Sequence, residues 1–422
     1  MRRSAAQDQA QERNTLMHPS KGGLSAERLA RMHDVVQGYV DKGEVAGAIT
    51  LIDRRGETHV DVVGLQDRER NTPMRRDTIF RIASMSKPIT ATAAMILVEE
   101  GKLRLDEPVD RLLPELADRK VLKAIDGPID DVVPANRPIT LRDLLTFRMG
   151  FGMLIGPPGA EPTPIQKAMN DTQIMGLKPP TPHDPDAWIS KFGSLPLMYQ
   201  PGERWLYHTG SDVMGVLIAR AAGMPFERFL RQRIFEPLDM EDTGFSVPAD
   251  KLVRLGSCYS VNPETRGLEV YDDAGAQSQW ARPPVFPAGG GGMVSTVDDY
   301  LAFGRMMLNG GRLGSERILS RPTVHTMTTD QLTAEQKRIS PFFPGFWDSR
   351  GWGLGVSVVT RRSDIHMTPG RFGWDGAFGT SWTSDPLEEM VGILMIQRMG
   401  FGPSPVGLNA DFWTQAYKTI DD

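Results

Sequence analysis

The apolar positions of this chain fall into helical and strand periods in separate blocks. After Ser25, the residues Leu29, Met32, Val35, Val36, Tyr39 and Val40 recur at helical spacing until Gly43. A serine able to cap and a glycine able to stop predict an amphipathic helix there. GAITLIDRRGETHVDVVG follows, with Ile49, Leu51 and Ile52 in one run, Val60, Val62 and Val63 in another, and Arg55-Gly56 near the turn. That is the pattern of a β-hairpin. Ser84 to Gly101 predicts a helix with Met95, Ile96 and Val98 on its apolar side, and LRDLLTF after Thr140 predicts a short one.

From Gly150 to Pro201 the character changes. Pro157, Pro158, Pro162, Pro164, Pro179, Pro180, Pro182 and Pro185 predict a long irregular insertion, the kind of segment that often carries binding function. Helices resume at Asp212 to Ala222 and Pro225 to Ile234. The run Gly289 to Gly292 precedes a further helix that Ser295 or Thr296 can cap and Gly310 can end. Strand patterns return in GLGVSVVT, DIHMTP, GTSWTSDP and MVGILMI, and a helix from Leu408 to Ile420 closes the chain. Strands at both ends with helices between predict an α/β (α+β) fold. Its antiparallel sheet, flanked by helices, is expected from residues 23–80 and 285–422. A mostly helical domain, 81–284, is inserted and carries the irregular segment 150–201. Residues 1–22 read as a loose arm. There is no internal repeat and no heptad pattern.

Composition narrows the function classes. Of 422 residues, 40% are hydrophobic and 24% charged, which excludes a disordered or fibrous chain. With 48 basic and 53 acidic side chains the formal charge is -5, so nucleic acid is not an expected partner. Cys258 is the single cysteine, which excludes an intramolecular disulfide and a cysteine-rich zinc site. The longest apolar runs, Ala93 to Val98 and Met390 to Ile396, are too short to span a bilayer, so no membrane partner is expected. The N-terminus is basic but has no apolar core and does not read as a secretory signal. A cytoplasmic location is the expectation, with the oligomeric state left open.

The sharpest candidate chemistry is Ser84-Met85-Ser86-Lys87. A serine and a lysine three apart at a helix start share one face. A serine hydroxyl is a weak nucleophile until a base takes its proton, and a lysine amine can do so if burial or nearby charge lowers its pKa. The helix N-terminus favours the negative charge that develops on the serine oxygen.

FRIASMSKPITATAAMILVEEGKLRLDEPVDRLLPEL, from Phe80, resembles the nucleophile segment of the serine β-lactamase and penicillin-binding-protein superfamily, most of all the class C branch and its relatives, the family VIII carboxylesterases. ITLRDLLTFRMGFG, PGERWLYHTGSDVMGVLIARAAG, AGGGGMVSTVDDYLAFGRMMLNGG and RFGWDGAFGTSWTSDP resemble further segments of that superfamily, in its order. The resemblance implies that Ser84 is the nucleophile, Lys87 its lysine and Tyr207 the tyrosine of the Tyr-x-Asn motif. It also implies an oxyanion hole built from the backbone N–H groups of Ser84 and Ala377. An adjacent lysine ammonium would favour the Tyr207 phenolate, and which of the two is the general base stays open. Gly376 would let the strand edge approach the substrate closely.

Two positions depart from the pattern. Thr209 stands where β-lactamases have asparagine, and Trp374-Asp375-Gly376 stand where they have Lys-Thr-Gly. A tryptophan supplies no cation for the carboxylate of a β-lactam. This resembles the esterase branch and favours neutral, apolar acyl substrates, unless an arginine such as Arg148 or Arg371 restores anion binding. Trp374 is expected to wall the acyl or alcohol pocket. Asp375, Gly376, Thr209, Phe151 and Met153 are the other candidate substrate contacts, and Phe342, Phe343, Phe346 and Trp347 are available to extend an apolar cleft.

Other chemistries lack their residues. No Gly-x-Ser-x-Gly, His-Glu-x-x-His, dinucleotide fingerprint or phosphate loop is present in the sequence. No metal and no cofactor is expected. His208, beside Tyr207, reads as structural or as a support for its neighbours. The expected protein is therefore a serine hydrolase cleaving small or short-acyl carboxylic esters through a covalent acyl-enzyme. The alternatives are an amide or D-aminoacyl peptidase, a weak β-lactamase, an acyltransferase and, from another class, a non-catalytic ligand-binding homologue. The expected partner is a small ester or amide substrate.

Overall fold

The structure is a computed structural model that describes residues 21–154, 161–176, 178–400 and 407–422. Most of the expected N-terminal arm lies outside these residues. Gly22, at its end, is fixed rather than loose: its N–H is bonded to Glu57 at 2.6 Å and its carbonyl accepts from Arg54 at 2.8 Å.

Eight strands form the main sheet: β1 (Gly47–Arg54), β2 (Glu57–Asp67), β3 (Thr72–Pro73), β4 (Arg350–Trp352), β5 (Ser357–Val359), β6 (Phe372–Asp375), β7 (Ser381–Asp385) and β8 (Met390–Met395). Their order is β4-β5-β6-β7-β8-β1-β2-β3, with every neighbouring pair antiparallel. The two ends of the chain meet where β1 pairs with β8, Ile49 opposite Met395. The helices that matter below are α1 (Ala26–Asp41), α2 (Ser86–Glu99), α3 (Leu141–Leu145), α4 (Pro164–Thr172), α5 (Pro185–Ser194), α6 (Thr209–Ala222), α7 (Val297–Leu308) and α8 (Leu408–Lys418).

The sheet is covered on both faces, which is why β1 is buried along its whole length. Ala48, Ile52 and Leu394 face Met32 and Val36 of α1 and Phe412 and Trp413 of α8. Alternate residues, Ile49, Leu51, Ile393 and Met395, face the larger core that contains Phe303 and Met306 of α7 and runs on into the helical region. The period-two alternation of β1 thus serves two cores rather than a core and a solvent face.

Three expectations need correction. The segment 150–201 contains α4 and α5, so it is not irregular throughout. Pro164 and Pro185 occupy the first helical position, after Thr163 and Asp184. There the missing N–H costs nothing and the fixed φ suits the helix, so these prolines start helices instead of breaking them. Pro157 and Pro158 lie outside the described residues. DIHMTP is a loop, not a strand. The helix expected from Ser84 begins two residues later: Ala83–Met85 is a 3-10 turn and α2 starts at Ser86. α2 is buried on all sides from Ser86 to Leu97, so it is a central helix with no polar face.

Candidate active site

The turn that carries Ser84 is clamped from both sides. Before it, Phe80 and Arg81 pair with Ser295 and Val294. Arg81, fully buried, is anchored by Asp272 (2.5 Å), Ser278 and Gln397. Ile82 donates its N–H to Met293, and Met293 donates its own to the Ser86 hydroxyl at 3.2 Å. Ala83 sits at φ +43°, an uncommon conformation for a residue with a side chain, and it turns the chain sharply into Ser84. From the sheet side, a Cβ on Gly376 would lie 2.4 Å from the Ile82 carbonyl oxygen, so only glycine lets the end of β6 reach the turn. Gly376 thus lets the end of the strand pack against the nucleophile turn, and Ala377 beyond it lines the Ser84 cavity. The N–H groups of Ser84 and Ala377 donate to no backbone carbonyl among the described residues.

One side of Ser84 is polar. Lys87 Nζ lies 2.9 Å from Ser84 Oγ, 3.1 Å from His208 Nδ1 and 2.5 Å from the Gly290 carbonyl oxygen. Asp212 Oδ2 is 3.2 Å from His208 Nε2, and Asp212 Oδ1 accepts the Gly290 N–H at 2.8 Å. Lys87 is fully buried. Burial disfavours the charged ammonium and brings its pKa down to about 7, although Asp212 pulls the other way.

The other side is aromatic. Tyr207 lies among Phe147, Trp205, Phe346, Trp352 and Trp374. Its ring meets Phe147 edge-on at 5.6 Å and stacks on Trp205 at 5.6 Å, and Lys87 Nζ stands 4.5 Å above it. Trp374 donates its indole N–H to the Tyr207 hydroxyl at 2.6 Å. Burial raises the Tyr207 pKa well above the ordinary phenol range, against the nearby Ser84 hydroxyl and the Trp374 N–H, which favour phenolate. Burial therefore disfavours both the lysine ammonium and the phenolate that the sequence led one to expect.

Ser84 opens on a cavity of about 360 Å³. Its lining includes Met153, Met175, Trp280, Val285, Phe286 and Ala377. A larger cavity of about 1020 Å³ shares the wall Pro283 to Phe286 but touches none of Ser84, Lys87 and Tyr207.

Of the expected substrate contacts, Met153 lines the Ser84 cavity; Phe151, Thr209, Trp374 and Asp375 do not. Phe151 is fully buried, edge-on to Phe192 at 5.0 Å. Thr209 is buried at the start of α6 with its hydroxyl toward Met175. Trp374 stands behind Tyr207 and is not a wall of the Ser84 cavity. Asp375 turns away and accepts from the Ser381 hydroxyl at 2.5 Å. Phe342, Phe346 and Trp347 pack around Trp205, and Phe343 is exposed. Neither candidate arginine reaches the cavity: Arg148 is bonded to Thr146 and Gln336, while Arg371 is bonded to Thr383 and stacked on Trp413. The lining contains one guanidinium, Arg282, from the Trp280 to Phe286 segment rather than from the strand leading to Ala377.

His208, which reads from sequence as structural or as a support for its neighbours, lies between Lys87 and Asp212, and Asp212 was not among the sequence candidates. The signal was available, since a histidine and an aspartate four apart at a helix start share one face. The Trp280 to Phe286 wall carried no periodic signal. Among the described residues no cluster of three or more His, Cys, Asp or Glu is arranged to hold a metal. No helix among them is long and apolar enough to cross a membrane.

The family model described as Beta-lactamase matches residues 32–411. The chain belongs to this family. It is a serine hydrolase with the β-lactamase and transpeptidase fold. Protein Rv1367c of Mycobacterium tuberculosis is 40% identical over 363 residues, covering 85% of this chain and 87% of the relative. Esterase EstB of Burkholderia gladioli is 30% identical over 390 residues, covering 87% and 90%. Among solved structures, EstCE1, a hydrolase with promiscuous acyltransferase activity, superimposes with a TM-score of 0.74 at 24% identity, over 93% of this chain and 99% of that one. That likeness supports the fold.

Proposed function

We propose that this chain hydrolyses carboxylic esters with small, apolar acyl groups through an acyl-Ser84 intermediate. The observation that carries the reading is the buried Lys87 amine, 2.9 Å from Ser84 Oγ. With its pKa brought to about 7, it is available as a base at neutral pH. Tyr207 keeps its proton and, with Trp374 donating to its oxygen, can pass that proton on.

In this mechanism Lys87 takes the Ser84 proton as Oγ bonds to the ester carbonyl. The oxyanion forms beside the free N–H groups of Ser84 and Ala377. The carbon–oxygen bond to the leaving group breaks, and Tyr207 supplies the proton that the departing alkoxide needs. The Lys87 ammonium, above the Tyr207 ring, returns a proton to the phenolate. Water then attacks the acyl-enzyme, with the same groups handling its protons.

Substrate class follows from the walls. A cavity of about 360 Å³ is at the small end for ligand sites, and its walls are mainly apolar. Trp374 supplies no cation, and Arg148 and Arg371 are engaged elsewhere, so a β-lactam carboxylate has no partner on the β6 side. EstB, by its name an esterase, supports the ester assignment. An alcohol able to enter the cavity would replace water and make the enzyme an acyltransferase.

The test is a panel of p-nitrophenyl acetate, butyrate and octanoate, a chromogenic cephalosporin and a D-alanyl amide, each with Ser84→Ala as control. Fastest turnover of the shorter esters, abolished in S84A, is expected. Faster turnover of the cephalosporin or the amide overturns the ester assignment.

A further inference from the structure

We infer that His208, held by Asp212, is a positioning residue that aims the lone pair of Lys87 at the Ser84 hydroxyl. The inference rests on the reading of Lys87 as base to Ser84 and adds the group that makes that base directional.

The donors and acceptors around Lys87 Nζ fix its orientation. A neutral amine has two N–H donors and one lone pair, so it can accept from only one neighbour. Its neighbours are Ser84 Oγ at 2.9 Å, His208 Nδ1 at 3.1 Å and the Gly290 carbonyl at 2.5 Å. The carbonyl only accepts, so it consumes one N–H. The state of the imidazole decides the second. Asp212 Oδ2 lies 3.2 Å from His208 Nε2 in an ion-pair contact, and this adjacent negative charge favours the ring proton on Nε2. Nδ1 is then bare and accepts the second N–H of Lys87. Only the lone pair remains, and only the Ser84 hydroxyl remains to donate to it. The neutral amine is therefore fixed in the orientation that receives the serine proton.

The packing shows that this arrangement is held in place. His208 sits at φ 88° and ψ −68°, a conformation rarely adopted by a residue with a side chain. A Cβ on Gly290 would lie 2.9 Å from Asp212 Oδ1 and 3.0 Å from His208 Cε1. The bare glycine backbone is what allows the imidazole, the carboxylate and the Gly290 carbonyl to converge on one amine. The titratable groups facing the imidazole are Lys87 from α2, Asp212 from α6 and the neighbouring Tyr207. The Gly289 to Gly292 segment packed against it has no titratable side chain, and Arg282 shares the cavity lining. An imidazolium would point a second N–H at Lys87 and break the pattern.

The test compares His208→Asn, His208→Ala and Asp212→Asn, using steady-state hydrolysis of a p-nitrophenyl ester over pH and thermal melting of each variant. Asparagine can present an acceptor near the Nδ1 position without a titrating ring, so H208N is expected to keep kcat within about fivefold of wild type. H208A is expected to lose roughly 100-fold in kcat with KM little changed, the size of effect seen for groups that serve proton transfer. D212N no longer dictates the tautomer and removes the charge that raises the Lys87 pKa. It is expected to lower kcat and to move the acidic limb to lower pH. H208A at the wild-type rate overturns the inference, as does H208N as slow as H208A when both melt like wild type. If H208A does not fold, the H208N rate and the direction of the D212N shift decide. Full turnover in Lys87→Ala would instead overturn the underlying reading of Lys87 as base, a result separate from those outcomes.

Discussion

The two sides of Ser84 treat their functional groups alike and achieve different things. On the polar side, Lys87 is buried with polar partners at Ser84, His208 and Gly290. On the aromatic side, Tyr207 is buried with one defined donor, Trp374. Burial disfavours charge in both places, but an amine loses a proton to become neutral and a phenol keeps one. In the proposed mechanism the same physical effect thus makes a base on one side and a proton donor on the other.

The comparison can be broken from either side. The largest effect is expected from Lys87→Met, which removes the base and keeps the stem. Its kcat for both p-nitrophenyl and ethyl esters is expected to fall by ~10³–10⁴, because every substrate needs the serine proton removed. A loss confined to one leaving group would contradict the role. Next comes Tyr207→Phe. Since p-nitrophenolate leaves without help and ethoxide does not, the loss is expected at ~10²–10³ for ethyl esters and distinctly smaller for p-nitrophenyl esters. Equal losses would remove the distinction between the two sides.

Trp374→Phe deletes one hydrogen bond to the phenol and keeps most of the packing. A loss of about 1 kcal/mol in transition-state stabilisation, roughly fivefold in kcat, is expected, with KM for acyl chains of different length unchanged. A change in chain-length preference would return Trp374 to the cavity wall. The smallest perturbation is pH itself. Activity is expected to rise through about pH 7 as Lys87 loses its proton, and then to stay level, because the Tyr207 phenol is held above its ordinary range. A profile of kcat/KM that falls again by pH 9 would show that Tyr207 titrates within reach.

What the sequence made legible follows the range of the forces involved. Local signals were sufficient for α1, with its Ser25 cap, and for the β1–β2 hairpin around Arg55-Gly56. Motif spacing brought Ser84, Lys87 and Tyr207 to notice, and the structure brings all three together. Side-chain direction at the site was not legible. Trp374 was expected in the cavity and stands behind Tyr207, since the strand period shows which residues share a face but not what covers that face. Phe151 and Met153 have similar apolarity and only one reaches the cavity. Composition does not distinguish a first-turn proline such as Pro164 or Pro185 from one inside a helix, so it does not show that these prolines start helices. The part played by His208 depends on Asp212 and Gly290 converging on it, and convergence of this kind is a property of tertiary structure.

The account turns on a buried neutral amine activating one serine. The most direct measurement is the rate of covalent labelling by a fluorophosphonate, followed by intact mass from about pH 5.5 to 9.5. The account predicts a single adduct on Ser84, absent from Ser84→Ala, forming at a rate that rises through about pH 7 and then levels. An adduct elsewhere, no adduct, or a rate that climbs only above about pH 9, as a phenolate base would require, would contradict it.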